Sequence, residues 1–321
     1  MSDQLQDQVK VERIEFASSD GTSTIKGWVW QPSEDPLASV RGVVQLVHGM
    51  AEHIERYDEF ARFLASNGFV VCGHDQVGHG DSCDPSRWGC LPAANGKAVL
   101  VEDVNRLRSM MCRHLGSDVP YVVFGHSMGS FVTRSYISRH GSGLAGAIIC
   151  GTGFVPVPTS AAGNLMARLI AKVKGADYKS PLLDSMGVGA YAKQVKNAKT
   201  QLDWLSYDED NVQRYLADEK CGFMFSAGGY ATVTALTKEV CSPACAERVP
   251  RNLPLLFISG DGDPVGSMGK GVEKSAQLAR DAGSTDVTCT IYPYMRHEIL
   301  NETARQQVFD ETLAWIETHC L

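Results

Sequence analysis

The sequence predicts an α/β protein in which a mostly parallel, doubly wound sheet carries helices on both faces and one helical segment is inserted. Short apolar runs of strand length alternate with amphipathic stretches of helix length along most of the 321 residues. The strand-length runs are almost continuously apolar, which is typical of parallel strands that are covered on both faces. The alternation stops between residues 155 and 225, where no strand pattern is found.

Eight strands are predicted. The first two, Val9–Phe16 and Ser23–Gln31, alternate polar and apolar residues, and we expect them to pair as an antiparallel hairpin. Helices separate the other strands, and a helical crossover returns the chain in the same direction, so these strands are predicted to be parallel. They are Gly42–Val47, Phe69–Gly73, Tyr121–Phe124, Ala145–Cys150, Leu255–Ser259 and Val287–Tyr292.

Helices are predicted where apolar residues recur at intervals of three and four. In the longest of them, Leu100, Val104, Leu107 and Met111 fall on one face. An Asn-Gly pair at positions 67 and 68 ends the first predicted helix. The predicted helices of the core are Tyr57–Ser66, Lys97–Leu115, Phe131–Arg139, Glu273–Asp281 and Thr303–His319.

The stretch without strands is interpreted as a helical cap, because about seventy residues are too many for a simple loop. We therefore expect residues 1–154 and 226–321 to form the core and residues 155–225 to form the cap. The charges of the cap are uneven. Arg168–Lys199 holds seven basic and two acidic residues, whereas Asp203–Glu219 holds six acidic residues and one basic. The basic half is a candidate for transient contact with a membrane surface.

One predicted helix of the cap, within Asn164–Lys174, has an apolar stripe with two interpretations. In the first interpretation, the stripe lines a tunnel for a medium or long acyl chain, and burial of that chain would contribute about 0.8 kcal/mol per methylene. Alternatively, the stripe packs against the core and leaves a basic face in solvent. The stripe consists of Leu165, Met166, Leu169, Ile170 and Val173.

The composition excludes several classes of protein. With 44% hydrophobic and 21% charged residues, the chain is neither disordered nor collagen-like. The net charge of −7 argues against a nucleic-acid partner, which requires a basic surface. Small molecules or neutral lipids are the expected partners, and the oligomeric state stays open.

Several features favour a cytoplasmic protein. The N-terminal segment Met1–Gln8 is polar and is not a secretory signal, and no run of about 18 apolar residues could form a spanning helix. Ten scattered cysteines are then expected to be reduced thiols. Cys241 and Cys245 are the one close pair, and without a second pair they do not indicate a metal or redox site.

The strongest chemical signal is a Gly-x-Ser-x-Gly motif between a predicted strand and a predicted helix. Its residues are Gly125, His126, Ser127, Met128 and Gly129. In this context the two glycines allow a tight turn that exposes the Ser127 hydroxyl at a helix N-terminus, which predicts a nucleophile. The alternative is a glycine-rich turn whose serine only caps the helix.

A serine nucleophile needs a base and an acid that orients the base. His297 follows the last predicted strand, and we expect it to be the base. Two candidates for the acid, Asp261 and Asp263, follow the preceding strand. Asp263 is preferred because the extra loop residues give it more reach, and Asp261 would then stabilise a turn by bonding its own backbone.

The tetrahedral intermediate requires hydrogen-bond donors aimed at its oxyanion. The backbone N–H groups of Met128 and Met50 are the predicted donors, because one follows the nucleophile and the other lies in the loop after the third strand. Four histidines raise the alternative of a hydrolytic zinc site. Since they accompany a complete serine triad, no metal and no cofactor are expected. These histidines are His48, His53, His74 and His79.

The motifs resemble the serine aminopeptidase and monoacylglycerol lipase group of the α/β-hydrolase superfamily, in particular bacterial proteins labelled lysophospholipase. The matching segments are His48–His53, Asp75–Ser82, Gly125–Gly129, Gly260–Gly266 and Arg296–Glu302. They span almost the whole chain in the expected order. The resemblance implies an α/β-hydrolase fold, Ser127, Asp263 and His297 as triad, and Met50 and Met128 as oxyanion donors. The predicted cap is the part of the chain that resembles this family least.

The leading hypothesis is a serine hydrolase that cleaves monoacylglycerol or lysophospholipid esters through an acyl-enzyme. An aminopeptidase or amidase with the same triad is an alternative, and its cap would have to supply a carboxylate for the substrate amine. The acidic run Asp203–Glu219 could do so. A non-catalytic binding protein of the same superfamily is a third hypothesis.

Overall fold

A central sheet of eight strands organises the computed structural model, which describes residues 9–32 and 40–321. The segment Met1–Gln8 therefore lies outside the described residues. The strand order is β1-β2-β4-β3-β5-β6-β7-β8. The strands are β1 (Val9–Ala17), β2 (Thr24–Pro32), β3 (Gly42–Val47), β4 (Phe69–His74), β5 (Tyr121–His126), β6 (Gly146–Cys150), β7 (Leu255–Gly260) and β8 (Val287–Tyr292).

The predicted pairing is confirmed. Strands β1 and β2 form an antiparallel hairpin, and β2 also pairs antiparallel with β4. The remaining neighbours, from β4 through β3 to β8, pair in parallel. Because all parallel strands end at the same edge of the sheet, the loops that follow β3, β5, β7 and β8 come together there.

Helices cover both faces of this sheet. They are α1 (Asp58–Ser66), α2 (Gly96–Leu115), α3 (Met128–His140), α4 (Val157–Lys174), α5 (Pro181–Met186), α6 (Val188–Ala192), α7 (Glu209–Ala217), α8 (Ala227–Val240), α9 (Pro243–Ala246), α10 (Lys270–Asp281) and α11 (Arg305–His319). Helices α1 and α11 pack on one face, and α2, α3, α8 and α10 pack on the other.

Two layers of apolar side chains explain why the parallel strands are apolar at almost every position. In β3, Val43 belongs to one layer and Val44 to the other, and in β4 the same holds for Val70 and Val71. Successive residues of a strand point to opposite faces, so a sheet covered on both sides buries both sets. Every residue of β3 to β7 is buried.

Helices α4 to α7 occupy the stretch that was predicted to be a cap. Between β6 and β7 the described residues contain no strand of the sheet, only an isolated bridge between Lys179 and Ser226. Helix α4 packs on α8, where the Asn164 amide donates to the Ala231 carbonyl over 2.7 Å. The division into a core and a cap at residues 155–225 stays a prediction.

The apolar stripe of α4 does not lie as either interpretation expected. Met166 and Ile170 pack against the core, but Leu165, Leu169 and Val173 are 61%, 53% and 77% exposed. Helix α4 instead buries the small residues at positions 167 and 171, both alanines. These alanines lie roughly 200° around the helix from the three exposed residues, and they allow a close approach of the neighbouring helix.

Candidate active site

Ser127 lies in a strained turn between β5 and α3. Its backbone has φ 55° and ψ −119°, which is unfavourable for a residue with a side chain. The Ser127 N–H donates to the Cys150 carbonyl over 2.9 Å, so the turn is tied to the neighbouring strand β6. A Cβ atom at position 129 would clash with the carbonyl oxygens of Val47 and His48, and this explains the second glycine of the motif.

His297 and Asp263 lie side by side at the same edge of the sheet. His297 Nδ1 is 3.0 Å from Asp263 Oδ2, and both side chains are almost fully buried. The Ser259 hydroxyl donates to Oδ2 over 2.7 Å and the Val265 N–H donates to Oδ1 over 2.8 Å, so the carboxylate is held from both sides. Neither ring nitrogen of His297 has an aligned hydrogen-bond partner among the described residues, so the contact with Asp263 is a close ion-pair distance and the Ser127 hydroxyl is not bonded to Nε2.

Asp261 has a different environment. Its side chain is exposed, and Oδ1 accepts a hydrogen bond from the Tyr294 N–H over 2.9 Å. The expected bond to its own turn is therefore replaced by a bond across to the loop after β8. Tyr294 has φ 56°, and this bond helps to hold the strained residue in place.

The two aspartates are expected to respond very differently to substitution. Asp263→Asn should lower kcat by about 10³-fold, because an amide no longer stabilises the imidazolium of His297. Asp261→Asn should change kcat by less than about tenfold, since this side chain is exposed and the amide oxygen of asparagine can still accept from the Tyr294 N–H. Steady-state kinetics on a common ester provides the measurement, and a larger loss in the Asp261 variant would reverse the assignment of the acid.

The predicted oxyanion donors, Met50 and Met128, line the same cavity as Ser127. Within residues 9–32 and 40–321, no hydrogen bond is found for the backbone N–H of either residue. The loop that carries Met50 is shaped by Glu52, whose carboxylate accepts the Gly49 N–H. Two backbone donors without a partner therefore line the same cavity as Ser127, and their role as an oxyanion hole stays a prediction.

A cavity of about 520 Å³ opens above Ser127 and His297. Much of its lining is apolar and comes from the stretch between β6 and α8, including Val188, Leu202 and Trp204. The Trp204 ring lies 5.1 Å from the His297 ring, centre to centre, and shields the imidazole from water. None of the stripe residues of α4 lines this cavity, so the predicted acyl tunnel along that stripe is wrong.

The polar side chains in the lining include three carboxylates beside histidine, tyrosine, serine and glutamine residues. Asp184 lies at the cavity wall, and its Oδ1 accepts a hydrogen bond from the Tyr230 hydroxyl over 2.8 Å. Glu52 and Glu298 also reach the cavity, and no lysine or arginine is found among its described lining residues. The acidic run Asp203–Glu219 contributes no carboxylate, which contradicts the hypothesis that it could hold a substrate amine.

Three of the four histidines that raised the alternative of a zinc site, His48, His74 and His79, are buried, and among the described residues they do not form a common metal site. The ring of His48 accepts the Gln76 N–H at Nε2 over 3.0 Å and contacts the Gly49 carbonyl through Nδ1. Burial lowers the pKa of His74 and that of His79 to about 3, so both are neutral. His53 lies apart from them and contacts Asp218.

The sequence profile of the family described as serine aminopeptidase, S33 matches residues 38–304. The chain belongs to this family. Among the relatives of this S33 protein, a monoacylglycerol lipase from Mycolicibacterium smegmatis is 28% identical over 294 residues, covering 91% of this chain and 92% of that one.

Solved structures show the fold. A thermostable carboxyl esterase from Bacillus coagulans, solved with glycerol, superposes with a TM-score of 0.89 at 30% identity and covers 97% of this chain and 99% of its own. A soluble variant of the Saccharomyces cerevisiae monoglyceride lipase superposes with a TM-score of 0.75 at 20% identity, with coverage of 97% and 96%. The S33 protein therefore has the α/β-hydrolase fold, as the sequence predicted.

A buried ion network beneath the cavity of the S33 protein was not predicted. Arg56 Nη2 donates to Glu298 Oε2 over 2.6 Å, and Arg56 Nε lies 3.4 Å from Glu52 Oε2. The Asn211 amide donates to the same Glu298 oxygen over 2.7 Å. Glu298 follows His297 directly, so the network connects the loop of Met50, the loop of His297 and helix α7. The sequence did contain a signal for this network, because an acidic residue stands next to each of two motif histidines: Glu52 before His53 and Glu298 after His297.

His126, the residue before the nucleophile, belongs to this network. Its Nδ1 lies 3.4 Å from Glu52 Oε1, and its Nε2 lies 3.1 Å from the His297 carbonyl oxygen. Burial lowers the pKa of His126, but the hydrogen bond and the charge of Glu52 outweigh it and raise the pKa overall. The pKa of Glu52 is in turn held below its ordinary value, because the hydrogen bond and charge of His126 and the charge of Arg56 overcome burial.

Proposed function

We propose that this protein hydrolyses the carboxylic ester of monoacylglycerols. The observation that carries the proposal is that Ser127 and His297 line one largely apolar cavity, with Asp263 buried behind His297 at 3.0 Å from its Nδ1. The lipase and esterase relatives support the same reaction. An apolar cavity suits an acyl chain, and the strained serine suits a nucleophile.

In the proposed reaction, the Ser127 hydroxyl attacks the ester carbonyl and its proton passes to Nε2 of His297. The Met50 and Met128 N–H groups stabilise the oxyanion, and Asp263 stabilises the imidazolium. The C–O bond then breaks, and glycerol leaves with the proton from His297. Water attacks the acyl-enzyme by the same route, and the fatty acid and the free serine result.

The charge of the cavity favours a neutral head group over a phosphate. Asp184 offers a carboxylate to the cavity, whereas the carboxylates of Glu52 and Glu298 are paired with Arg56, and no lysine or arginine is found among the described lining residues. Glycerol hydroxyls can donate to a carboxylate, whereas the phosphate of a lysophospholipid would be repelled by it. We therefore propose monoacylglycerols as better substrates than lysophospholipids, with Asp184 accepting a glycerol hydroxyl.

A substrate series tests this proposal. We expect kcat/KM to rise with acyl length from acetyl to medium chains, and monoacylglycerols to exceed lysophospholipids of equal chain length. Asp184→Asn should lower kcat/KM for monoacylglycerol by roughly tenfold, the value of a hydrogen bond to a charged group. Matched p-nitrophenyl esters, which lack the hydroxyls, provide the control. Equal losses on both substrates, or hydrolysis of acetyl esters alone, would contradict the proposal.

An aminopeptidase activity is the second candidate, because Asp184 could also pair with a substrate amine and the family carries that name. Aminoacyl anilides assayed beside the esters separate the two activities. A kcat/KM on the anilides above that on monoacylglycerols would favour the peptidase.

We also propose that helices α4 and α5 contact a membrane surface. Leu165, Leu169 and Val173 are exposed at four-residue spacing on α4, and Leu182 and Met186 are 54% and 56% exposed on α5. Exposed basic residues, among them Arg168 and Lys172, accompany them. Apolar side chains with a basic flank are typical of helices that lie in the lipid interface.

Vesicle binding tests this surface. Leu169→Glu with Val173→Glu should reduce co-sedimentation with anionic phospholipid vesicles by at least about fivefold, because each charge opposes insertion. Leu321→Glu is a matched control, since Leu321 is as exposed as Leu169, at 53%. Activity on a water-soluble ester should not change. Equal binding by all variants would refute the contact.

We propose a cytoplasmic location, which is supported by ten cysteines that are all free. Within the described residues, no helix combines the length and apolar character needed to cross a membrane. Mass spectrometry of protein that is denatured and alkylated at the moment of cell lysis should find every cysteine modified, including the buried ones. A disulfide would contradict this location.

A further inference from the structure

A histidine, a carboxylate and a thiol meet outside the proposed triad, next in the chain to residues 52 and 222 that line the cavity. His53 follows the Met50 loop, whereas Asp218 and Cys221 follow α7. His53 Nε2 lies 2.8 Å from Asp218 Oδ2. One ligand atom from each of the three residues lies within 4.8 Å of the other two.

We propose that His53, Asp218 and Cys221 bind a divalent transition-metal ion of the zinc type. Imidazole, carboxylate and thiolate are the ligands that zinc prefers, at bond lengths of about 2.0–2.3 Å. Bonds of this length place tetrahedral ligand atoms roughly 3.3–3.7 Å apart. The His53–Asp218 separation of 2.8 Å lies just below that range and the other separations do not exceed 4.8 Å, so small side-chain rotations suffice. Binding replaces the thiol proton of Cys221, which is released to water.

The surroundings of His53 suit a metal ligand. His53 is 6% exposed, and Nδ1 has no hydrogen-bond partner among the described residues. Glu55 Oε2 lies 3.7 Å from this nitrogen and can accept its proton after a small movement. A carboxylate on the second nitrogen of a ligating histidine is the usual outer contact of a zinc site.

Access to the three residues is also suitable. The Asp218 side chain is 31% exposed and Cys221 is half-buried, so an ion can enter from solvent and a fourth ligand can be water. A hydrolytic zinc centre would have to lie at the reacting carbonyl. This cluster is separate from the proposed nucleophile and base, so the ion would be structural or regulatory.

Binding would join two segments that already touch. The Ala51 carbonyl oxygen accepts hydrogen bonds from the Tyr215 hydroxyl over 2.6 Å and from the Gly222 N–H over 2.9 Å. Ala51 lies between the proposed oxyanion donor Met50 and the ligand His53. An ion held by both segments therefore stabilises the oxyanion loop against the segment after α7, and it raises the temperature of unfolding.

Cobalt and zinc titrations of the full-length protein test the site. One equivalent of Co²⁺ should produce a thiolate-to-cobalt charge-transfer band, and Zn²⁺ should displace the ion and raise Tm. Cys221→Ser, Cys221→Ala and His53→Gln should each lower the affinity more than about 100-fold, beyond the loss of an outer contact. Cys289→Ser is the matched control, since Cys289 is a half-buried thiol on β8.

The readouts do not depend on ester hydrolysis, so failure here and failure of the proposed function are distinguishable. An unchanged band in both Cys221 variants would overturn the proposal, as would the absence of a thiolate band in the wild-type protein. Loss of the band in these variants but not in Cys289→Ser would support it.

Discussion

Ser127→Ala is expected to lower kcat/KM by about 10⁴-fold or more while Tm changes little. The hydroxyl is the proposed nucleophile, and the turn that carries it is held by backbone contacts that alanine keeps, such as the N–H of residue 127 to the Cys150 carbonyl. The remaining activity would come from binding and from the oxyanion donors. Steady-state ester hydrolysis and thermal unfolding provide the two measurements.

His297→Ala should cause a loss of the same order, and the double variant should be hardly worse than either single variant. A nucleophile and its base act as one unit, so their effects are far from additive. Ser138→Ala, a buried serine on the same helix α3, is the control and should retain activity. Additive losses would argue against the triad.

Covalent labelling separates the enzyme from a non-catalytic binding protein of the same fold. A fluorophosphonate should label the wild-type protein and the Ser138 variant, but not Ser127→Ala. Failure to label the folded wild-type protein would favour the binding protein.

Arg56→Met is expected to reduce the free energy of unfolding by about 3–5 kcal/mol, the usual loss when one partner of a buried ion pair is removed. The side chains of Arg56, Glu52 and Glu298 are 8%, 5% and 3% exposed. The substitution leaves two buried carboxylates without their cation. Urea unfolding at neutral pH measures the change.

Arg62→Met is the matched control for that variant. Arg62 Nε pairs with Asp58 Oδ2 over 2.7 Å, but these side chains are 23% and 44% exposed, and exposed pairs contribute about 0–1 kcal/mol. Arg56→Met with Glu298→Gln should recover part of the loss, because one unpaired charge is removed. Similar values for the two arginine variants would mean that the buried network is not important for stability.

Local patterns were sufficient for the architecture and for two of the three proposed triad residues. Period-two and period-3.6 patterns depend on neighbours along the chain, so β5 and α3 could be located and the motif at Ser127 recognised between them. The carboxyl ends of parallel strands share one edge, and this placed His297 near Ser127 in the prediction. The antiparallel hairpin of β1 and β2 and the parallel direction of the later strands followed from the same patterns, whereas the strand order and the antiparallel pair of β2 with β4 were not predicted.

Only the tertiary structure determined which side chains at a strand end, and which face of a helix, are buried against a neighbouring element. Asp261 and Asp263 share a strand end, yet one carboxylate is exposed and the other is buried beside His297. Helix α4 turned its alanines inward, because α8 approaches closely, and left Leu169 in solvent.

Only the tertiary structure also determined which charged residues pair when they are far apart in the chain. Arg56 and Glu298 are separated by 242 residues, and only folding makes them a pair. A sequence pattern records which residues are apolar and how they are spaced. The partners that each face and each charge finds are set by packing between distant segments, and desolvation there determines which carboxylates become buried and paired.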